Sequence, residues 1–227
     1  MGKTRLPRRR RALACAASLL TIAGCATSEN HLTGPVIPVR VQPVVLDGDT
    51  GEWPPSVVMS ADPWWLYLRW KVAGEAKTLQ ASDESLAIWL DVDTNPATGL
   101  RPQAPSRASA LGVDLEIELS PSKADGSGLA QGVRVTAHSA DGPIVWGHAD
   151  VGFSFAPTYA SEWYEGRVSR LAPATVALPS PGLGSSGLVT GVLVLRDSRG
   201  RAIGSSEPFE LDVPAAAGSQ PLADLRI

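Results

Sequence analysis

The feature that most constrains this chain is a strict two-residue alternation of apolar and polar side chains. In the stretch 65–72, Leu66, Leu68, Trp70 and Val72 share one face, and Tyr67, Arg69 and Lys71 share the other. Leu86, Ile88, Leu90 and Val92 repeat the pattern. So do Val113, Leu115, Ile117 and Leu119, whose opposite face carries Asp114, Glu116 and Glu118. Side chains of an extended strand point alternately to its two faces, so this period predicts half-buried strands and excludes amphipathic helices. On that reading Glu116 and Glu118 belong to a solvated sheet face.

Further strands are predicted at 37–46, 132–138, 143–148, 151–155, 162–170, 188–196, 201–204 and 207–213. Turn residues separate them: Ala140-Asp141-Gly142 suits a tight hairpin, and Asp197–Gly200 does the same near the end. No ten-residue window has helical periodicity, and 172–187 reads as a Pro/Gly/Ser loop. About ten short strands at this spacing predict an all-β domain over 37–213. The expected form is a jelly-roll-like β-sandwich of two packed antiparallel sheets, with a barrel as the alternative. Residues 214–227 are expected to form a frayed tail.

The charges are unevenly placed. The first 24 residues hold six of the 20 basic residues and none of the 23 acidic ones, so the remaining 203 carry 14 against 23, a net of −9. That balance argues against a nucleic-acid partner, which needs clustered Lys and Arg to neutralise phosphates. The basic start followed by apolar Ala12–Ala23 has the layout of an export signal and is too short to span a bilayer. It ends in Ile22-Ala23-Gly24-Cys25, which resembles a bacterial lipobox.

The resemblance implies a signal peptide over 1–24, acylation of Cys25 (diacylglycerol on sulfur, palmitate among the chains), and a polar tether over 25–36. Each buried acyl methylene contributes about 0.8 kcal/mol, so such a terminus would hold the protein on a membrane. Ala26 after the cysteine is compatible with outer-membrane sorting in the cell envelope. The only other cysteine, Cys15, lies in the leader, so a mature chain would have no free thiol for catalysis.

The segment Asp91-Val-Asp93-Thr-Asn95-Pro-Ala-Thr98-Gly99 is the most specific polar motif. Asp91, Asp93 and Asn95 match the first three alternating positions of an EF-hand-like loop, without its sixth-position Gly or its terminal Glu. Two readings stay open: oxygen ligands for a hard cation such as Ca²⁺, or a turn whose side chains bond their own backbone.

Three stretches, in family order, resemble family-nine carbohydrate-binding modules and their DOMON-like β-sandwich relatives. They are Leu46-Asp-Gly-Asp-Thr-Gly-Glu-Trp53, then Leu66-Tyr-Leu68 with Ile88-Trp-Leu-Asp-Val-Asp93, and finally Leu111-Gly-Val-Asp114 with Glu162-Trp-Tyr-Glu-Gly-Arg-Val168. The resemblance spans roughly residues 40–213. It implies a sandwich, a cation (Ca²⁺) near Asp91, Asp93 and Asp114, and a glycan ligand held on aromatic platforms.

Trp64, Trp65, Trp89, Trp146 and Trp163 are candidate platforms, with Trp89, Trp146 and Trp163 preferred and core packing as the alternative for each. Trp70 lies on an apolar face and reads as core. His138 and His148 flank the 140–142 turn, close enough in sequence to approach across a hairpin. Without a G-x-S-x-G elbow, an H-E-x-x-H pair or a P-loop, no catalytic residue is named and a non-enzyme is expected.

The leading expectation is a membrane-anchored glycan-binding lipoprotein. The alternative is a structural or assembly lipoprotein that contacts another envelope protein. A haem domain, as in some DOMON relatives, is a third reading, with Met59, His138 and His148 as its only axial candidates.

Overall fold

The alternating stretches become strands in the computed structural model, which describes residues 44–72, 75–79, 81–102, 107–179 and 182–217. The leader, Cys25, the tether and residues 218–227 lie outside the described residues. In chain order the strands are β1 (Met59–Ala61), β2 (Trp65–Lys71), β3 (Ser85–Asp91), β4 (Leu115–Leu119), β5 (Val133–Ser139), β6 (Gly142–Trp146), β7 (Ser154–Ala156), β8 (Trp163–Ser169), β9 (Gly187–Arg196), β10 (Ala202–Ser205) and β11 (Phe209–Val213).

They form two antiparallel sheets, a β-sandwich. The smaller has the order β1-β2-β8-β7. The larger has the order β10-β9-β3-β4-β5-β6, with β11 also pairing β9. Between the sheets lie Leu66, Leu68 and Trp70 from β2, Ile88 and Leu90 from β3, and Leu115, Ile117 and Leu119 from β4, all buried. Burying one such side chain contributes about 1.5–3 kcal/mol, and the two-residue period aims every second one inward.

Several expectations need correction. Residues 44–46 carry no strand, and 37–43 lie outside the described residues. The 172–187 loop contains a one-turn helix, α1 (Pro173–Val176), opened by its proline. The start of the tail is tied down: Ala216 donates its N–H to Gly184 O at 3.1 Å and Ala217 donates to Pro63 O at 2.9 Å.

The central strands are also not half-buried. Residues 44–57 lie over the outer face of the smaller sheet, where Val44 and Trp53 pack with Tyr67. The outer face of the larger sheet buries Ala87 and Trp89 with Leu111, Val113, Val192 and Val194.

Candidate functional site

The outer face of the larger sheet concentrates the polar chemistry. Alternation places Ser85, Ala87, Trp89 and Asp91 of β3 on it, and register sets Trp89 against Glu116 and Ala87 against Glu118 of β4. Glu116 and Glu118 are buried rather than solvated, because cations cover them. Arg196 reaches both carboxylates, Glu116 at 2.5 Å and Glu118 at 3.1 Å, and lies 5.3 Å from the Trp89 ring centre. Arg134 also pairs with Glu118, and Ser85 donates to it at 2.7 Å.

His138 meets Glu116 at 3.2 Å, whereas His148 is exposed in the turn after β6. Burial pushes the Glu116 carboxyl upward. His138 and Arg196 outweigh it and hold the group below its ordinary range. This web satisfies its charges internally, the arrangement a buried ionic cluster requires.

At the end of the same face, β3 runs into the acidic loop. One carboxylate oxygen each from Asp91, Asp93 and Asp114 lies within 4.8 Å of the others, with Asp91 and Asp114 buried. Asp91 uses one oxygen to accept from Gly112 N at 3.1 Å, and Asp114 uses one to accept from Val92 N at 2.9 Å. The second oxygen of each, Asp91 Oδ1 and Asp114 Oδ1, is buried with no hydrogen-bond partner.

Burial, with Asp93 and Asp91 nearby, pushes the Asp114 carboxyl up to about 7. Burial raises Asp91 as well. Two orphaned buried oxygens beside a third carboxylate are expensive without a cation, and hard oxygen donors of this kind fit Ca²⁺. Gly99 completes the cradle. Its φ is +66°, and a Cβ there would come within 2.9 Å of Asp114 Oδ1 and 2.4 Å of Val113 O.

Both readings of this loop have a physical counterpart. Asp93 accepts from Asn95 N at 2.8 Å and from Thr98 Oγ1, and exposed Asn95 uses its own oxygen on Ala97 N at 3.0 Å. The turn is therefore self-bonded through Asp93 and Asn95, while Asp91 and Asp114 keep free oxygens. Of the four residues expected as ligands, the three aspartates come together. Asn95 is engaged in the turn.

A second acidic group, Asp47, Glu52 and Glu165, also has oxygens within 4.8 Å of one another. Its chemistry differs, because both Glu165 oxygens are occupied. Trp53 Nε1 donates to one and Gly48 N donates to the other at 3.0 Å. Asp47 and Glu52 are exposed. This group is a hydrogen-bonded clamp between residues 48–53 and β8.

The three preferred tryptophans do not gather. Trp89 is buried on the outer face of the larger sheet, and Trp146 packs against the inter-sheet core. Trp163 is half-buried on the outer face of the smaller sheet. There it joins a ladder along β2 and β8, where Lys71 pairs with Trp163, Arg69 with Glu165 and Tyr67 with Arg167.

Arg69 lies 5.1 Å from the Trp163 ring centre and 5.6 Å from that of Trp53, and Lys71 lies 5.7 Å from Trp163. At the far end Arg167 stacks 4.1 Å over half-buried Trp65. The two half-buried indoles therefore sit about 20 Å apart, six residues along one strand at roughly 3.3 Å each.

Sequence reasoning missed this ladder and the Arg196 web. Alternation locates residues on faces but does not say which loop covers a face or which cation crosses a strand. No protein-family model, no curated protein and no solved structure matches the chain.

Proposed function

We propose that the protein is a non-catalytic binding protein of the cell envelope, held to the membrane by acylation of Cys25. In this reading it takes a glycan on the outer face of its smaller sheet, with Ca²⁺ clamping the Asp91–Gly99 loop. The observation that supports glycan binding is the pair of half-buried indoles, Trp163 with Arg69 and Lys71 beside its ring and Trp65 with Arg167 beside its own. An indole offers a flat apolar surface to the C–H face of a sugar ring, and Lys71 and Arg167 supply donors for its hydroxyls. Arg167 makes no ion pair among the described residues. It donates only to Ser154 Oγ at 3.3 Å, which leaves its terminal nitrogens available.

Titration of the protein's tryptophan fluorescence across a glycan panel tests the reading. One glycan class should shift the emission, and Trp163→Ala should weaken that binding at least tenfold with an unchanged melting temperature. Silence across the panel would remove the proposal. The lipid anchor is tested separately by metabolic labelling with palmitate, which Cys25→Ala should abolish.

A second reading, contact with another envelope protein, is favoured by one feature. Among the described residues strand β6 ends the larger sheet with one edge unpaired, and it exposes Ile144 and Val145, the latter 67% accessible. Such an edge is a template for a further strand. A photo-crosslinker at position 145 in cells should then yield a discrete adduct, and an unmodified chain would count against this contact.

A further inference from the structure

At one end of the sandwich the inward-facing row is only partly covered among the described residues. Ile88 and Leu90 of β3 and Val189 of β9 are buried. Leu86, Leu193 and Leu195, on the same inward faces, are only partly so. They line a cavity of about 350 Å³ with Val72, Leu79 and Gly204. The smaller sheet stops short here: β2 ends at Lys71, and Lys71 and Lys77 stand at the mouth with Glu84.

A half-open cleft of this size, apolar within and polar at its entrance, is the usual form of a small-molecule site. At about 30 Å³ per water-sized group it holds on the order of a dozen non-hydrogen atoms.

The charge at the mouth selects the head group. Two lysines face one glutamate among the lining residues. Lys77 is paired with Glu84. Lys71 makes a 3.3 Å pair with Glu162, both side chains more than half exposed, and lies 5.7 Å from the Trp163 ring centre. An exposed pair of that kind is worth little and exchanges readily for another anion.

We infer that this cavity binds a medium-chain amphiphile with a carboxylate head, its chain among Leu86, Leu193 and Leu195 and its head at Lys71. The chain would lie on the inner faces of the sheets, away from the outer-face glycan reading, and the two share only Lys71.

Gly204 provides the test. It lines the cavity, its backbone is outside the left-handed region, and a Cβ built on it meets nothing within 4 Å. Gly204→Phe should therefore fill the space without strain. Titration calorimetry of the purified full chain with sodium decanoate, below its micelle concentration, should show one site. Decyltrimethylammonium should bind at least tenfold more weakly.

In Gly204→Phe, decanoate affinity should fall at least tenfold with an equal or higher melting temperature. Lys71→Glu/Lys77→Glu changes the mouth, and because Lys71 also borders Trp163 the variant is read only for the preference between the two amphiphiles, which it should reverse. Absence of decanoate binding, equal affinity for the cationic amphiphile, or undiminished binding by folded Gly204→Phe would overturn the inference.

Discussion

Calcium in excess at pH 8 is expected to raise the melting temperature by about 5–10 °C. A ligand at 100 times its dissociation constant stabilises by about 2.7 kcal/mol, and each kcal/mol moves a domain of this size by about 2–4 °C. The source of the effect is the pair of orphaned oxygens, Asp91 Oδ1 and Asp114 Oδ1, beside Asp93. A cation would satisfy both and cancel three like charges that the ion-free loop must hold together.

The response should depend on pH in a fixed direction. Asp114 titrates at about 7 in the folded chain and near 3.9 when unfolded. Between those values the folded state keeps a proton that the unfolded state has released. Ion-free stability therefore falls as pH rises from about 4 to about 7, and levels off above. A cation competes with that proton, so the calcium gain should be large at pH 8 and small at pH 5.

Asp91→Ala/Asp93→Ala should lose the response at both. An unchanged melting temperature at millimolar calcium and pH 8, or an equal gain in the double variant, would remove the cation from the loop.

Replacing Arg170 by methionine is expected to cost about 3 kcal/mol or more, lowering the melting temperature by roughly 6–12 °C. Arg170 is fully buried at the end of β8. Its guanidinium donates to four backbone carbonyls: Leu183 O at 2.7 Å, Asp62 O at 2.6 Å, Ser185 O at 3.3 Å and Pro214 O. Burial lowers its affinity for the proton, and the nearby Asp62 carboxylate works the other way.

One side chain thus joins the β1–β2 turn, the segment before β9 and the residue after β11. Methionine would fill much of the volume but orphan four acceptors at once. Arg170→Lys should recover less than half of the loss, since a single ammonium cannot reproduce the planar fork. Urea unfolding gives the measurement. A methionine variant within 1 kcal/mol of the parent would show that these carbonyls find other partners.

The strands were the most legible part of this protein. Alternation over 65–72, 86–92 and 115–119 corresponds to β2, β3 and β4, whereas Val113, expected on the inner face, lies before β4 and packs with Trp89 on the outer one; the glycine turns at 140–142 and 197–200 join paired strands. Three-residue β1 carries too short a pattern to be read, and α1 is a single turn set by Pro173. At the acidic loop, spacing alone led to Asp91 and Asp93. Asp114 joins them because β4 pairs with β3, a relation between residues 21 to 23 positions apart that only register fixes.

The sequence by itself determined which side of each strand a residue occupies, because a pleated backbone leaves no other choice. Alternation puts Trp89, Glu116 and Glu118 on the face opposite Ile88 and Ile117, where the structure has them. Only the tertiary structure decided what lies over that face. Arg196 from β9 crosses to both glutamates and makes a solvated row into a buried ionic web. Residues 44–57 do the same for Tyr67, Arg69 and Glu165 on the smaller sheet. Facing direction is a local property of the chain, whereas covering needs partners from other elements, as far as 112 residues away for Trp53 and Glu165.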